Sequence, residues 1–202
     1  MSKTTTLDIL RHGECEGGQL YLGSTDVLLT ESGWRQMRNA IDASPAPWQQ
    51  IITSPLQRCY RFATQLSSDE DLPLMVESRL RETDFGTWEG REVDEVWQTE
   101  KSAVIAWIED PVAASPPEGE TTREFFYRVL GGYNRIVNNY RGKRVLLVTH
   151  GGVIRMLLAH VLQMPLTAVS RFAVPHACLS RVEVLHTGNG DYARLVAHNL
   201  LT

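Results

Sequence analysis

Two apolar runs in this chain end in the same way. Leu7 to Leu10 passes into Arg11-His12-Gly13-Glu14, and Val145-Leu146-Leu147-Val148 passes into Thr149-His150-Gly151-Gly152. Each run reads as a buried strand closed by an imidazole and a glycine. Strand-like and helix-like segments alternate along most of the chain, so the expected fold class is α/β, a sheet layered by helices. In such sheets ligands collect at the carboxyl ends of strands, so the two His-Gly pairs can meet over one pocket. A cation beside an imidazole at a strand end packs poorly unless an anion lies between them. Phosphate fits that place, and the reading that follows is phosphoryl transfer through His12.

The remaining elements follow from local signals. Thr30-Glu31-Ser32-Gly33 starts a helix to about Ala43, ended by Pro45 and Pro47. Gln50 to Thr53 is a short strand. Ser54-Pro55 opens a helix to about Leu66, with Pro at its first position. Pro73 to Val76 is a weaker strand, and 80–90 is a charged, glycine-containing loop. Val93, Val96, Trp97, Val104 and Trp107 form the apolar stripe of a helix over 91–109. Thr121 and Glu124 make a capping box for a helix to about Tyr140. Gly151-Gly152 turns into a helix from Val153 to Leu162. Val169 to Val174, Leu179 to Leu185 and Tyr192 to Asn199 read as closing strands, antiparallel in character.

Composition limits the partners. The chain has 202 residues, 43% of them hydrophobic, enough for one sizeable core. A net charge of −4 argues against nucleic acid or an anionic membrane as partner. No apolar run approaches the roughly 18 residues of a membrane span. Three unpaired cysteines, Cys15, Cys59 and Cys178, with no leader-like start predict a reducing compartment and a cytoplasmic location. Arginine outnumbers lysine 17 to 3, which suits oxyanion binding and equally reflects base composition.

The chemistry then falls to a few residues. A neutral His12 with one ring nitrogen held by a carbonyl and the other open is a phosphoryl acceptor, and Gly13 lets the chain bend closely past it. Arg11, Arg58 and His150 are the candidate phosphate clamp for a transition state whose charge spreads over three oxygens. Glu82, in Arg81-Glu82-Thr83-Asp84, is a candidate proton donor to the leaving alcohol, with Asp84 its rival in the same loop. Trp88 is placed to wall the pocket. Trp34, Trp48, Trp97 and Trp107 read as core or helix faces, and Cys59 as helix packing. His160, His176, His186 and His198 carry no catalytic argument. Arg155 either reaches the pocket rim or pairs elsewhere. His12 and Cys15 lack partners at zinc-like spacing, so no metal is expected.

These motifs together resemble the histidine phosphatase superfamily, in its phosphoglycerate-mutase-like branch. Leu10-Arg11-His12-Gly13-Glu14, Gly23 to Gly33, Ser54-Pro55-Leu56-Gln57-Arg58, Leu80 to Gly90, Pro117 to Thr121 and Thr149 to Arg155 carry the resemblance, in family order. It implies a three-layer αβα fold, with a mostly parallel central sheet and helices on both faces. It implies one domain over 1–202, with 91–140 a helical cap-like insertion over the site. By the same resemblance His12 is phosphorylated, Arg11, Arg58 and His150 bind the phosphoryl group, and Glu82 rather than Asp84 is the proton donor. No cofactor or metal is implied. The expected partner is a small-molecule phosphomonoester, with a homodimer possible. Glu14 to Gly18 with Gly33 to Met37 is most similar to the α-ribazole phosphatases; a broad phosphomonoesterase is the alternative. Mutases of the group carry an Asn where this chain reads Glu16-Gly17-Gly18-Gln19, which argues against a phosphoglycerate mutase.

Overall fold

The computed structural model describes residues 3–43 and 47–200. Pro45, expected to help end the first helix, lies outside the described residues. The elements are β1 (Lys3–Arg11), α1 (Glu31–Asp42), β2 (Gln50–Thr53), α2 (Gln57–Asp69), β3 (Leu74–Val76), α3 (Val93–Thr99), α4 (Lys101–Glu109), α5 (Thr122–Asn139), β4 (Arg144–Thr149), α6 (Gly151–Val161), β5 (Leu179–Thr187) and β6 (Gly190–Ala197). They form a six-stranded sheet in the order β3-β2-β4-β1-β5-β6. The β3, β2, β4 and β1 strands run parallel, and β5 and β6 add antiparallel to that edge.

Alternation along β1 explains the layers. Leu7 and Ile9 point to one face, where Val129 and Ile136 of α5 and Ile154 and Leu157 of α6 cover them. Leu10 points to the other, against Met37 and Ile41 of α1 and Phe62 and Leu66 of α2. A central strand buried on both faces has to be apolar at nearly every position. The three-layer α/β fold expected from the motifs is what forms. Among the described residues no helix is long and apolar enough to cross a membrane.

Asp8 is the exception in that strand and is fully buried. Its Oδ2 accepts from Arg144 Nε of β4 and Trp48 Nε1, both at 2.8 Å, and its Oδ1 accepts from Arg181 Nε of β5 at 2.7 Å. One carboxylate thus ties the central strand to both neighbours, and a register slip would strand it.

Four local expectations differ. The second helix begins at Gln57, since Leu56 stays extended and Ser54 is occupied by a hydrogen bond described below. The 91–109 segment breaks into α3 and α4 at Glu100, whose carboxylate is drawn to Trp88 Nε1 at 2.8 Å and to Arg91. Residues 169–174 form no strand: Val169 and Val174 are buried, but the Val174 carbonyl is taken by Arg11 Nη1 at 2.6 Å instead of a ladder partner. Gly151 and Gly152 are the first turn of α6, with His150 as its N-cap. The Thr121–Glu124 capping box is present.

The segment expected as a cap divides in two. Helices α3 and α4 enclose a small separate cluster of Trp88, Val96 and Val104. Helix α5 instead packs into the main core through Phe125, Val129, Tyr133 and Ile136. Its first turn, through Thr122 and Phe125, also lines the cavity described below.

Asp8→Ala removes the carboxylate shared by the two arginines. Breaking a buried ion pair from one side costs about 3–5 kcal/mol, so urea unfolding should show a loss near 3 kcal/mol. A loss below about 1 kcal/mol would mean the cluster does not hold the sheet.

Candidate active site

Three parallel strand ends build the site. Arg11 of β1 pairs with Thr149 of β4, and His12 N–H donates to the Thr149 carbonyl at 2.9 Å. His12 and His150 therefore leave the sheet side by side, with ring centroids 5.3 Å apart. The β2 strand pairs with β4 on its other side, and Ser54 N–H donates to the Val148 carbonyl at 3.0 Å. That brings Ser54 beside His150, and Arg58, in the first turn of α2, meets the other edge of the same ring.

His12 is 5% exposed. Its Nδ1 lies 2.8 Å from the Gly13 carbonyl. A carbonyl only accepts, so Nδ1 carries the proton and the neutral ring has its lone pair on Nε2. Burial first, then the charges of Arg58 and Arg11, holds the imidazole well below its ordinary pKa. Gly13 is required for a reason other than clearance of that nitrogen. A Cβ there would meet the Gly33 carbonyl at 2.2 Å, so the glycine admits the start of α1.

His150 is fully buried and is likewise held neutral by burial, then by Arg58. Arg58 Nε donates to its Nδ1 at 3.3 Å, so its proton sits on Nε2, 2.6 Å from Ser54 Oγ. Arg58 is committed further, donating to the carbonyls of Thr25, Leu22 and Gly23 at 2.8–3.0 Å. Of its five N–H groups one, on Nη1, is left over. Arg11 is less engaged: Nη1 holds the Val174 carbonyl, and Nε is buried without a hydrogen-bond partner among the described residues. Of the expected phosphate clamp Arg11 lines the cavity described below, whereas Arg58 and His150 are fully buried and are not among its lining residues.

Glu82 is buried, its Oε2 accepting from Gly152 N–H at 2.9 Å and its Oε1 from Thr83 N–H at 3.0 Å. A Cβ at residue 152 would lie 2.3 Å from Oε1, so the glycine makes room for the carboxylate. Asp84 is exposed and caps the turn at Gly86 N–H, 2.8 Å away. Of the two, Glu82 faces the cavity.

That cavity measures about 720 Å³. Arg11, His12, Glu82 and Arg155 are among its lining residues, with Tyr21, Phe85, Trp107, Ile108, Phe125 and Met156 as its apolar walls. Trp107, expected as a helix face, is a wall. Trp88, expected as a wall, is fully buried one layer behind, its ring 5.9 Å from that of Trp107. His176 also lines the cavity, its ring 5.8 Å from that of His12, although no sequence signal marked it. Gln19 restores an amide side chain to the stretch where the sequence shows no Asn.

Glu89 has no role in the sequence reading, and the structure gives it one. Its carboxylate accepts from the N–H groups of Gly23, Ser24, Thr25 and Phe85 and from Thr25 Oγ1, at 2.6–3.2 Å. Burial alone would raise its pKa; these bonds outweigh burial and lower it. Glu89 thereby shapes the loop whose carbonyls hold Arg58. The signal was hidden because the contact crosses 64–66 positions of sequence.

Two buried neutral imidazoles make stability depend on pH. Below about pH 6.5 the unfolded chain protonates both and the folded chain does not, so stability falls as pH falls. The slope approaches about 1.4 kcal/mol per pH unit for each ring, and vanishes above about pH 7.5. Denaturant unfolding near pH 7.5 and near pH 5.5 should show it. A His12→Asn/His150→Asn variant should have a shallower dependence; an unchanged slope would assign the effect to other groups.

The chain matches the Histidine phosphatase superfamily (branch 1) over residues 7–198. A bifunctional protein of Mycobacterium tuberculosis is 34% identical over 188 residues, 91% of this chain and 51% of that protein. The chain thus spans about half the length of that relative. The adenosylcobalamin/alpha-ribazole phosphatase of Escherichia coli is 30% identical, covering 87% of this chain and 88% of its own. The structure of mycobacterial glucosyl-3-phosphoglycerate phosphatase superposes with a TM-score of 0.85 at 27% identity, over 98% of this chain and 99% of that one. By family match and by fold, the chain belongs to the histidine phosphatase superfamily.

Proposed function

We propose that this protein is a phosphomonoester hydrolase that works through a phosphohistidine at His12, with breadth toward its alcohol. The observation that carries the reading is the His12 ring: Nδ1 bound to the Gly13 carbonyl, and the lone pair left on Nε2 within a cavity holding Arg11 and Glu82. In the proposed first step Nε2 attacks phosphorus and the ester P–O bond breaks. The leaving oxygen takes a proton from the Glu82 carboxyl. In the second step water attacks phosphohistidine, giving its proton to the Glu82 carboxylate, and the P–N bond breaks to restore His12. Arg11, Arg58 and His150 would hold the charge on the transferred group throughout.

Breadth rests on the cavity and on the relatives. About 720 Å³ exceeds what a phosphoryl group fills, and aromatic and aliphatic side chains such as Tyr21, Phe85, Trp107 and Ile108 share the wall with the polar groups. Similar proteins bear names for quite different esters, a ribazole phosphate and a glucosyl phosphoglycerate. An α-ribazole 5′-phosphate phosphatase is the narrower reading, supported by the aromatic walls and by the likeness to the E. coli enzyme. A cytoplasmic location and a homodimer remain parts of the proposal that rest on sequence alone.

His12→Ala should lower kcat/KM by at least about 10⁴-fold across a panel of phosphomonoesters. A 32P-labelled adduct, stable to alkali and lost in acid, should form in the native protein only. Unchanged turnover in the variant would overturn the reading. A panel peak on α-ribazole 5′-phosphate alone would favour the narrow form, and exchange between 3- and 2-phosphoglycerate would favour a mutase.

Gly152→Ala drives a methyl group against Glu82. It should reduce kcat about tenfold or more for alkyl phosphates, and much less for 4-nitrophenyl phosphate, whose leaving group needs little protonation. An equal loss on both would separate Glu82 from the proton transfer.

A further inference from the structure

A third imidazole stands beside His12. The ring of His176 lies 5.8 Å from that of His12, almost as close as the ring of His150 at 5.3 Å. The two neighbours differ in access. His150 is fully buried, its ring nitrogens are taken by Arg58 and Ser54, and it is not among the residues lining the cavity. His176 lines the cavity and is exposed as a residue. Among the described residues neither of its ring nitrogens has a hydrogen-bond partner. Of the two, His176 is the ring that a ligand in the cavity can reach.

Backbone contacts fix its place. Arg11 N–H donates to the Cys178 carbonyl at 2.9 Å, and Ala177 N–H donates to the His12 carbonyl at 3.2 Å. Residues 176–178 are thereby fastened to the end of β1. Cys178 N–H closes the turn on the Pro175 carbonyl at 3.0 Å, with Ala177 at φ +55°. A residue other than glycine stays in that left-handed region only where its surroundings impose it, and such positions gather at functional sites.

The charged and titratable groups that act on the ring are His12 and Arg11 from the end of β1 and Glu14 from the turn after it; Cys15 and Arg155 line the same cavity. Partial burial first, then Arg11, lowers the His176 pKa, and Glu14 opposes them. Without an anion the ring is therefore neutral near pH 7. A dianion beside Arg11 and His176 offsets the guanidinium charge and favours the imidazolium, which then donates a charge-assisted hydrogen bond.

Resting on the phosphomonoesterase reading above, we propose that His176 is a further phosphate-binding residue, donating as an imidazolium to an oxygen of the phosphoryl group that His12 attacks. The contact falls on a non-bridging oxygen, because nucleophile and leaving oxygen stand in line and His176 is beside the nucleophile. Binding takes up a proton at His176. Affinity for a dianion is therefore greatest where the free ring is already protonated, and it weakens as pH rises between the pKa of the free ring and that of the complex.

Sulfate is the probe, since it remains a dianion from about pH 5.5 to about pH 8.5 and is not turned over. Its dissociation constant is measured by titration calorimetry and checked as an inhibition constant against 4-nitrophenyl phosphate. Over that range the constant of the native protein should rise about tenfold more than that of His176→Asn, whose amide donates without a charge. His176→Ala should bind sulfate about tenfold more weakly than native at the acid end and within about twofold of it at the alkaline end. Parallel curves for native and His176→Asn overturn the proposal. So does an alanine variant that matches native at the acid end. A uniform weakening at every pH in both variants also overturns it, and assigns His176 to the folding of the turn. Absence of the 32P adduct at His12, with the pH pattern intact in calorimetry, would remove the phosphohistidine reading and leave the anion contact standing.

Discussion

The parallel pairing of β1 with β4 is the contact on which the site depends. One backbone hydrogen bond, from His12 N–H to the Thr149 carbonyl, fixes the two strand ends in step. Two imidazoles then emerge together at a depth where water cannot solvate a charge. Burial and the neighbouring guanidinium groups keep both rings neutral. A neutral ring is what a phosphoryl acceptor needs, so the register of the sheet sets the protonation state as well as the position.

Around that pair the protein separates anchoring from binding. Arg58 spends four of its five N–H groups on His150 and on the carbonyls of residues 22, 23 and 25. Glu89 in turn holds that loop through four hydrogen bonds, and accepts a fifth from Phe85 N–H. Arg11, by contrast, has its Nε buried without a hydrogen-bond partner among the described residues. One arginine is therefore a fixed positive charge within a rigid frame, and the other is a cation with donors to offer. Electrostatic stabilisation is strongest when the charges need not reorganise as the reaction proceeds.

The long apolar runs, the helix starts and stops at capping residues, and the α/β alternation were legible because they are local. The motif residues His12, Arg58, Glu82 and His150 stand out in the sequence as candidates, since the pattern of residue types around them is dense. Errors arose where a distant partner decided. Glu100 breaks a helix because Trp88 lies across from it. Val174 leaves the ladder because Arg11 takes its carbonyl. Trp88 and Trp107 exchange the places expected for them, since periodicity shows that a tryptophan is covered but not which of two layers covers it.

The sequence by itself determined which segments are buried strands and amphipathic helices, and which residue types could handle a phosphoryl group, because hydrophobic period and side-chain chemistry belong to the chain. Tertiary structure alone decided that Asp84 faces water while Glu82 faces the cavity, that Glu89 frames Arg58, and that His176 and Arg155 line the site. Those outcomes follow from contacts between residues tens of positions apart. Their energies come from desolvation and geometry, which exist only once the chain is packed.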